Sequence, residues 1–273
     1  MKDTAEIIKK LEEMRNTTVI PMFFDSTRSI DYAFISDLYE LLKRLPKPIE
    51  NLEVMIHSGG GYLDAAYHAV ILLRKCCKNL SFIVPRWAKS AATFMACGGN
   101  KIYMGDTSEL GPLDPQIIDP IHGTQYSTLS IRQTIKFLDS IEREIKEENN
   151  KESSVIMRAV DCLPLMSIGD NLRQLNHVAE YLEELFKTGM FESEVKENSA
   201  DITKKIDDII KYLVTAHSSH SKAILYEKAK ELGLKVENMP QEQWEIVWEI
   251  YRNFEKEKLT SREREIPHAS AVI

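Results

Sequence analysis

Short, wholly apolar segments alternate with amphipathic segments along residues 17–104, and this alternation constrains the fold more than any other feature of the chain. The apolar segments are rich in β-branched and aromatic residues and predict strands at Thr17–Phe24, Leu52–His57, Leu80–Val84 and Lys101–Met104. Between them, apolar residues at helical spacing predict helices at Asp31–Leu45, Leu63–Cys77 and Ser90–Cys97. Strands that alternate with helices form a parallel sheet, and strands this apolar are covered on both faces.

Downstream of about Pro120 the pattern becomes mainly helical. Apolar stripes predict helices at Ser130–Lys146, Leu165–Thr188, Ile202–Thr215, Glu227–Gly233 and Pro240–Lys258, in addition to one at Glu6–Met14. We therefore expect an α/β domain over residues 1–240, with its core at about 17–120 and a helical part at about 128–240. Residues 241–273 are expected to form a C-terminal helix and tail.

Composition and charge exclude several classes of function. The chain has 273 residues, of which 43% are hydrophobic and 28% charged, as in an ordinary soluble protein. A net charge of −7 with scattered basic residues gives no indication of nucleic-acid binding. The charged N-terminus does not resemble a signal peptide, and the apolar runs are shorter than the roughly 18 residues of a transmembrane segment. Because the cysteines also lack metal-ligand spacing, we expect a cytoplasmic protein with reduced thiols and no metal.

Two motifs at neighbouring strand-to-helix junctions carry the chemistry. The turn Ser58–Gly61 exposes backbone N–H groups that can hold an anion, and Ser90 stands between Lys89 and two alanines at the next junction. Each has a simpler interpretation alone: a tight turn for the glycines, and a helix N-cap for Ser90. The glycine run lacks the spacing of a nucleotide-binding loop. Together, a nucleophile and an oxyanion pocket are the minimal equipment for acyl transfer.

Three strings in fixed order resemble a known superfamily. They are IHSGGG at 56–61, VPRWAKSAAT at 84–93 and SELGPLDPQ at 108–116. Their order resembles that of the Clp peptidase, signal-peptide peptidase and crotonase superfamily, and they look most like the serine dehydrogenase proteinase (SDH) family of Clp-fold serine peptidases. Residues 219–221 and 228–234 are also similar to this family, so the resemblance covers about 17–236. It implies a Clp/crotonase-like α/β fold.

The resemblance also assigns roles to site residues. It implies that Ser90 is the nucleophile and that the backbone N–H groups of Gly61 and Ala91, with Gly60 as a further donor, form the oxyanion hole. The chemistry agrees, because glycine lets a backbone approach the substrate carbonyl closely. Removing one such donor typically costs about 3 kcal/mol of transition-state stabilisation.

The general base stays open between two residues. Clp peptidases place a histidine on the strand that follows the serine, and the corresponding position here holds Asp114, which would orient a base or shape its turn. Lys136 resembles the lysine of related Ser-Lys peptidases, which works when burial removes its proton; its other interpretation is a surface lysine. His220 lies where Clp peptidases carry the third member of their triad. Lys89 is expected to face solvent.

The sequence therefore predicts a cofactor-free serine endopeptidase that acts on protein or peptide substrates through an acyl-enzyme. Many relatives assemble through helices outside the core, so we expect a homo-oligomer without a nucleic-acid partner. Two other classes remain open. One is a crotonase-like acyl-CoA enzyme, which uses the same paired backbone donors. The other is a non-catalytic Clp-fold scaffold, which the absence of a histidine at position 114 favours.

Overall fold

A computed structural model describes residues 4–25, 27–114, 116–118, 125–147, 165–215 and 222–265. At its centre is a five-stranded parallel sheet in the order β1-β2-β3-β5-β9. Its strands are β1 (Thr18–Phe23), β2 (Ile49–His57), β3 (Cys77–Val84), β5 (Lys101–Met104) and β9 (Val236–Glu237). Smaller pairs are formed by β4 (Trp87–Ala88) with β6 (Glu109–Leu110), and by β7 (Gln116–Ile118) with β8 (Gln125–Ser127).

Helices surround this sheet. Those before the third motif are α1 (Thr4–Arg15), α2 (Tyr32–Arg44), α3 (Leu63–Cys76) and α4 (Ala91–Cys97). Those after it are α5 (Thr128–Glu147), α6 (Leu165–Leu185), α7 (Glu192–Lys196), α8 (Ile202–Thr215), α9 (Tyr226–Glu231) and α10 (Gln241–Glu265). One π-helical turn, Phe186–Met190, continues α6. The predicted parallel α/β architecture is confirmed.

The two sides of the sheet pack against two separate hydrophobic cores. Val54 and Ile56 of β2 lie in the main core, against α2, α3, α4 and α6, whereas Met55 between them lies in a second core with α1 and α10. Successive side chains of a strand point to opposite faces, so a run of consecutive apolar residues is required when both faces are covered. The fully apolar strands predicted this covering.

The second core is fastened by a buried ion pair. The guanidinium of Arg15, at the end of α1, donates 2.7 Å and 2.5 Å bonds to the carboxylate of Glu53 and a third bond to Gln243 of α10. It also lies 4.5 Å from the ring centre of Tyr103. Burial lowers the pKa of Arg15, but the contact with Glu53 outweighs it and the net shift is upward. The pair therefore joins both covering helices to the sheet.

The sequence analysis did not predict the short strand pairs at the edge of the sheet. β4 and β6 each contain two residues, which is too few for a strand period to show in the sequence. β6 continues into a bridge in which Leu110 and Ile224 exchange backbone hydrogen bonds of 3.0 and 2.9 Å. None of the described helices combines the length and the apolar character needed to cross a lipid bilayer.

Candidate active site

The glycine turn and the serine meet at the carboxyl edge of the parallel sheet. The chain leaves both β2 and β3 at this edge, so the loops that follow these two strands lie side by side. The N–H of Ser58 donates to Trp87 O at 3.1 Å, and the N–H of Lys89 donates to Ser58 O at 3.0 Å. This extra pairing fixes the turn against β4 immediately before Ser90.

Gly60 touches the serine through its backbone. Its φ is +115°, and a Cβ on it would lie 2.9 Å from the Ser90 Cβ and 2.9 Å from the Lys89 carbonyl oxygen. A side chain therefore fits neither the conformation nor the space. The Gly60 N–H donates to Ser58 Oγ at 3.0 Å, so this donor already has a partner within the protein.

Ser90 has a strained backbone and a side chain that is not used for capping. Its φ of 50° and ψ of −122° place a non-glycine residue outside the regions open to L-residues, which typically costs about 1–3 kcal/mol. It occupies the N-cap position of α4 but makes no side-chain capping hydrogen bond. A serine in a strained conformation at a sharp strand-to-helix turn, without a capping hydrogen bond, resembles a nucleophile elbow.

Two backbone N–H groups belong to residues next to Ser90 and to Gly60 in the sequence, namely Ala91 and Gly61. Ala91 is the first residue of α4, where N–H groups have no partner within the helix. In the described ranges, no hydrogen bond engages the N–H of Ala91 or of Gly61. Gly61 is held in place because its neighbours pair with Ile30: the Ile30 N–H donates to Gly60 O at 3.0 Å and the Tyr62 N–H to Ile30 O at 2.8 Å. The site can therefore offer two rigid donors to an oxyanion.

A cavity of about 1170 Å³ opens over these groups. Ser90, Ala91 and Gly61 line it, together with residues of α6. Tyr32 and Tyr62 stand at its rim with ring centres 6.2 Å apart, and both are more than half exposed. The volume is slightly above the roughly 300–1,000 Å³ of typical ligand pockets.

The predicted base residues lie in different places. Lys136 is exposed on α5 and is not among the residues that line the cavity. His220 lies outside the described residues. Asp114 is 6% exposed and lines the cavity together with Ser90.

Lys89 does not face solvent, and that expectation was wrong. Its Nζ donates to Glu109 Oε2 at 2.9 Å and to Leu110 O at 3.2 Å, and its side chain is only 22% exposed. The pairing of β4 with β6 brings Glu109 beside it. Lys89 thus joins the second motif to the third.

Thr93 joins the same two motifs inside the core. Its hydroxyl donates to Ala88 O at 2.6 Å and accepts the Gly111 N–H at 2.9 Å, and the residue is fully buried. The long motif strings therefore have a structural explanation, because they hold the segment that leads to Asp114 against the start of α4.

Sequence reasoning missed two residues of the cavity. His177 of α6 and Asp64 of α3 both line it, and His177 Nε2 lies 3.0 Å from Asp64 Oδ1. No motif surrounds either residue, and 113 positions separate them. Only the packing of α6 on α3 reveals the pair.

Comparison with known proteins places the chain in a family. The sequence model of the ClpP-like SDH-type serine proteinases matches residues 1–269. The chain belongs to that family. The predicted SDH-family resemblance and ClpP-like fold are thereby confirmed, and membership in a serine proteinase family supports a serine peptidase.

Relatives of this ClpP-like SDH-type proteinase include two uncharacterized proteins of Methanocaldococcus jannaschii. MJ0137 is 27% identical over 259 residues, covering 90% of this chain and 78% of that protein. MJ1495 is 24% identical over 254 residues, covering 89% and 75%.

Among solved structures, a variant of the 1510-N membrane-bound stomatin-specific protease in complex with a substrate peptide is 15% identical. Its TM-score is 0.43, over 81% of this chain and 73% of that one. ClpP1 from Listeria monocytogenes is 11% identical with a TM-score of 0.40, over 86% and 98%.

Proposed function

We propose that the protein is a serine endopeptidase in which Ser90 forms an acyl-enzyme with its substrate. One observation carries the proposal: the strained, uncapped Ser90 lies against the Gly60 backbone and lines the large cavity. A hydroxyl held this way beside two N–H donors is equipped for acyl transfer. The family supports peptide hydrolysis as the reaction.

The reaction follows from this arrangement. Ser90 Oγ attacks the carbonyl carbon of the scissile peptide bond as its proton passes to the general base, and the carbonyl electron pair moves to oxygen. The N–H groups of Gly61 and Ala91 hold that oxyanion, and each is expected to contribute about 3 kcal/mol to the transition state. The oxyanion collapses, the C–N bond breaks and the leaving amine takes the proton from the base. Water then hydrolyses the ester on Ser90 and returns a proton to its Oγ.

For the general base, the proposal names two candidate residues. Lys136 and His220 are the two that the sequence offers, and Asp114 is a candidate for orienting the base from the cavity wall. The variants Lys136→Ala and His220→Ala are compared by the rate at which Ser90 reacts. A loss of roughly 100-fold or more in one variant alone would identify that residue as the base.

Substrate and assembly complete the proposal. Peptides or proteins are the proposed substrates, because the cavity is large, open to the surface and lined by both polar and apolar residues. We further propose a homo-oligomer in the cytoplasm, as expected from the family resemblance, composition and charge. Light scattering coupled to size-exclusion chromatography measures the assembly directly.

A fluorophosphonate probe tests the nucleophile. Intact-mass spectrometry should show one adduct, which forms when the Ser90 oxygen displaces fluoride from phosphorus. Ser90→Ala should abolish the adduct. Ser29→Ala is the matched control, since Ser29 also lines the cavity but stands outside the glycine turn, and it should keep the adduct. Folded wild-type protein that forms no adduct would contradict the proposal and favour the scaffold alternative.

A further inference from the structure

Two exposed tyrosine rings lie at the part of the cavity next to the glycine turn. Tyr62 directly follows Gly61, and Tyr32 is the first residue of α2. Their ring planes are inclined by 23°, and the residues are 63% and 60% exposed. Both rings are therefore open to a molecule that enters the cavity. The reaction described above uses neither of them.

Carboxylates outnumber lysine and arginine among the described residues that line this cavity. Asp64, Asp114 and Glu180 are acidic, and Arg173 is the one arginine of the described lining, which contains no lysine. Asp114 is buried, whereas Asp64 and Glu180 are exposed. A molecule in the cavity can therefore meet two accessible carboxylates.

Asp64 shares one corner of the cavity with the two tyrosines. It lies in the first turn of α3, two residues after Tyr62. Burial raises the pKa of Tyr181 in α6, and the nearby Asp64 and Tyr32 raise it further, so Tyr181 lies close to both. The rings of Tyr67 and Tyr181 stack with centres 4.0 Å apart, which fixes the start of α3 against α6.

Glu180 reaches the same corner from α6. His177 Nε2 lies 3.0 Å from Asp64 Oδ1, and Glu180 follows His177 by three residues, on the same face of the helix. Asp64 keeps room for a further donor, because a carboxylate has about four acceptor positions and this side chain is 55% exposed. Arg173 precedes Glu180 by about 10 Å along the helix axis. We refer to Tyr32, Tyr62, Asp64 and Glu180 as the tyrosine–carboxylate corner.

These groups together suit a cation. An ammonium or guanidinium group within about 6 Å of the centre of a tyrosine ring is attracted by the negative face of that ring. A carboxylate beside the ring adds a charge-assisted hydrogen bond. An acidic side chain would instead meet like charges, and an aliphatic one would use the rings but not the carboxylates.

We propose that the tyrosine–carboxylate corner binds a lysine or arginine side chain of the substrate and thereby selects peptides with a basic residue near the cleaved bond. This inference rests on the proposed function, which supplies Ser90 and the cleavage. Asp64 is the third residue after Gly61, so the two lie at most about 11 Å apart along the chain. An extended peptide advances about 3.3 Å per residue, which places the basic residue within about three positions of the scissile bond.

Cleavage of a peptide mixture tests this selectivity. Peptides from a digest at acidic residues keep their internal lysines and arginines, and mass spectrometry reads the new cut sites. We expect lysine or arginine to be enriched within about three positions of the cut. Ser90→Ala protein, which should cut none of these peptides, accounts for contaminating proteases.

Two synthetic peptides then measure the size of the effect. One carries lysine at the preferred position, and the other carries norleucine, which keeps the aliphatic stem but lacks the charge. The lysine peptide should have a kcat/KM about tenfold higher, because a cation over a ring and a partly exposed ion pair act together. This ratio is the lysine preference of the enzyme.

Variants of the corner separate a binding role from a structural one. The double variant Asp64→Asn, Glu180→Gln should lower the lysine preference about fivefold, since two partly exposed ion pairs are lost. Tyr62→Leu should lower it about two- to fivefold, whereas Tyr62→Phe keeps the ring and should keep the preference. Glu180→Lys should shift the preference toward acidic residues, a reversal that a loss of folding would not produce.

Matched controls come from the same helices outside the cavity. Glu183 on α6 and Tyr39 on α2 are not among its described lining residues, so Glu183→Gln and Tyr39→Leu should keep the wild-type lysine preference. Labelling of Ser90 by an uncharged fluorophosphonate gives the concentration of active enzyme for each variant.

The outcomes separate this inference from the proposed function. If wild type cuts peptides without enrichment of basic residues, or cuts the lysine and norleucine peptides equally fast, the inference is wrong while the peptidase stands. A preference for acidic or apolar residues overturns it as well. Corner variants with an undiminished lysine preference would place the selectivity elsewhere. If wild type neither labels at Ser90 nor cuts any peptide, the proposed function fails, and this inference fails with it.

Discussion

At the scale of single residues, the site depends on backbone contacts more than on side chains. Gly60 lies against Lys89 and Ser90, and Gly61 packs on Ile30. Neither position therefore has room for a side chain. The sequence alone shows three successive glycines of equal appearance. The structure shows that they differ, because a Cβ added to Gly59 would meet no atom within 4 Å.

The pair Gly60→Ala and Gly59→Ala turns this difference into a prediction. Gly60→Ala should lose fluorophosphonate labelling and destabilise the fold by about 1–3 kcal/mol, because the methyl group meets Ser90 Cβ at a positive φ. Gly59→Ala should label normally and unfold within about 0.5 kcal/mol of wild type. Urea denaturation and labelling rates measure both. Equal behaviour of the two variants would contradict the close approach.

At the scale of elements, the long periodic segments were predictable and the short connecting ones were not. The helix predicted at Ile202–Thr215 and the strand at Lys101–Met104 occur with those bounds, since a sustained apolar period is a local property of the sequence. β4 and β6 contain two residues each and are defined only by their partners. The same reason separates Ser90, carried by a local motif, from His177 and Asp64, which meet only through the packing of α6 on α3.

Thr93 tests how far the β4–β6 pair supports the site. Thr93→Val keeps the volume but removes the hydroxyl that accepts the Gly111 N–H, and leaving this buried donor unpaired should cost about 1–3 kcal/mol. The segment ahead of Asp114 should loosen, and labelling of Ser90 should slow. Thr134→Val, at an exposed position on α5, is the control and should change neither quantity. Calorimetry that finds the two variants equally stable would refute this role.

At the scale of the whole molecule, the sheet separates the core next to the Ser90 cavity from the core covered by α1 and α10. Ala91, Leu113 and Val178, which line the cavity, belong to the main core, whereas α1 and α10 cover the second core, beside the Arg15–Glu53 pair. The predicted covering of both faces followed from the apolar strands. The ion pair that fastens the second face was not predictable, because 38 positions separate its partners.

Arg15→Ala should therefore lower the stability of the fold and leave the reactivity of Ser90 unchanged. Removing one partner of a buried ion pair typically costs about 3–5 kcal/mol, because the remaining carboxylate stays buried without its counter-charge. Per folded molecule, Ser90 should still label at the wild-type rate, since Arg15 lies across the sheet from the cavity. Lys9→Ala, which breaks an exposed pair with Glu13, is the control and should change stability by less than about 1 kcal/mol. Slow labelling of folded Arg15→Ala would show that the two faces are coupled.

The backbone of Ser90 has a consequence for anyone who engineers this protein. A left-handed φ is a conformation that glycine adopts without cost, so a library selected for thermal tolerance alone should favour Ser90→Gly. The selected variants would be more stable and would lack the proposed nucleophile. Heat resistance and turnover compete at this one position, and a screen for robust variants must hold it fixed or score activity as well.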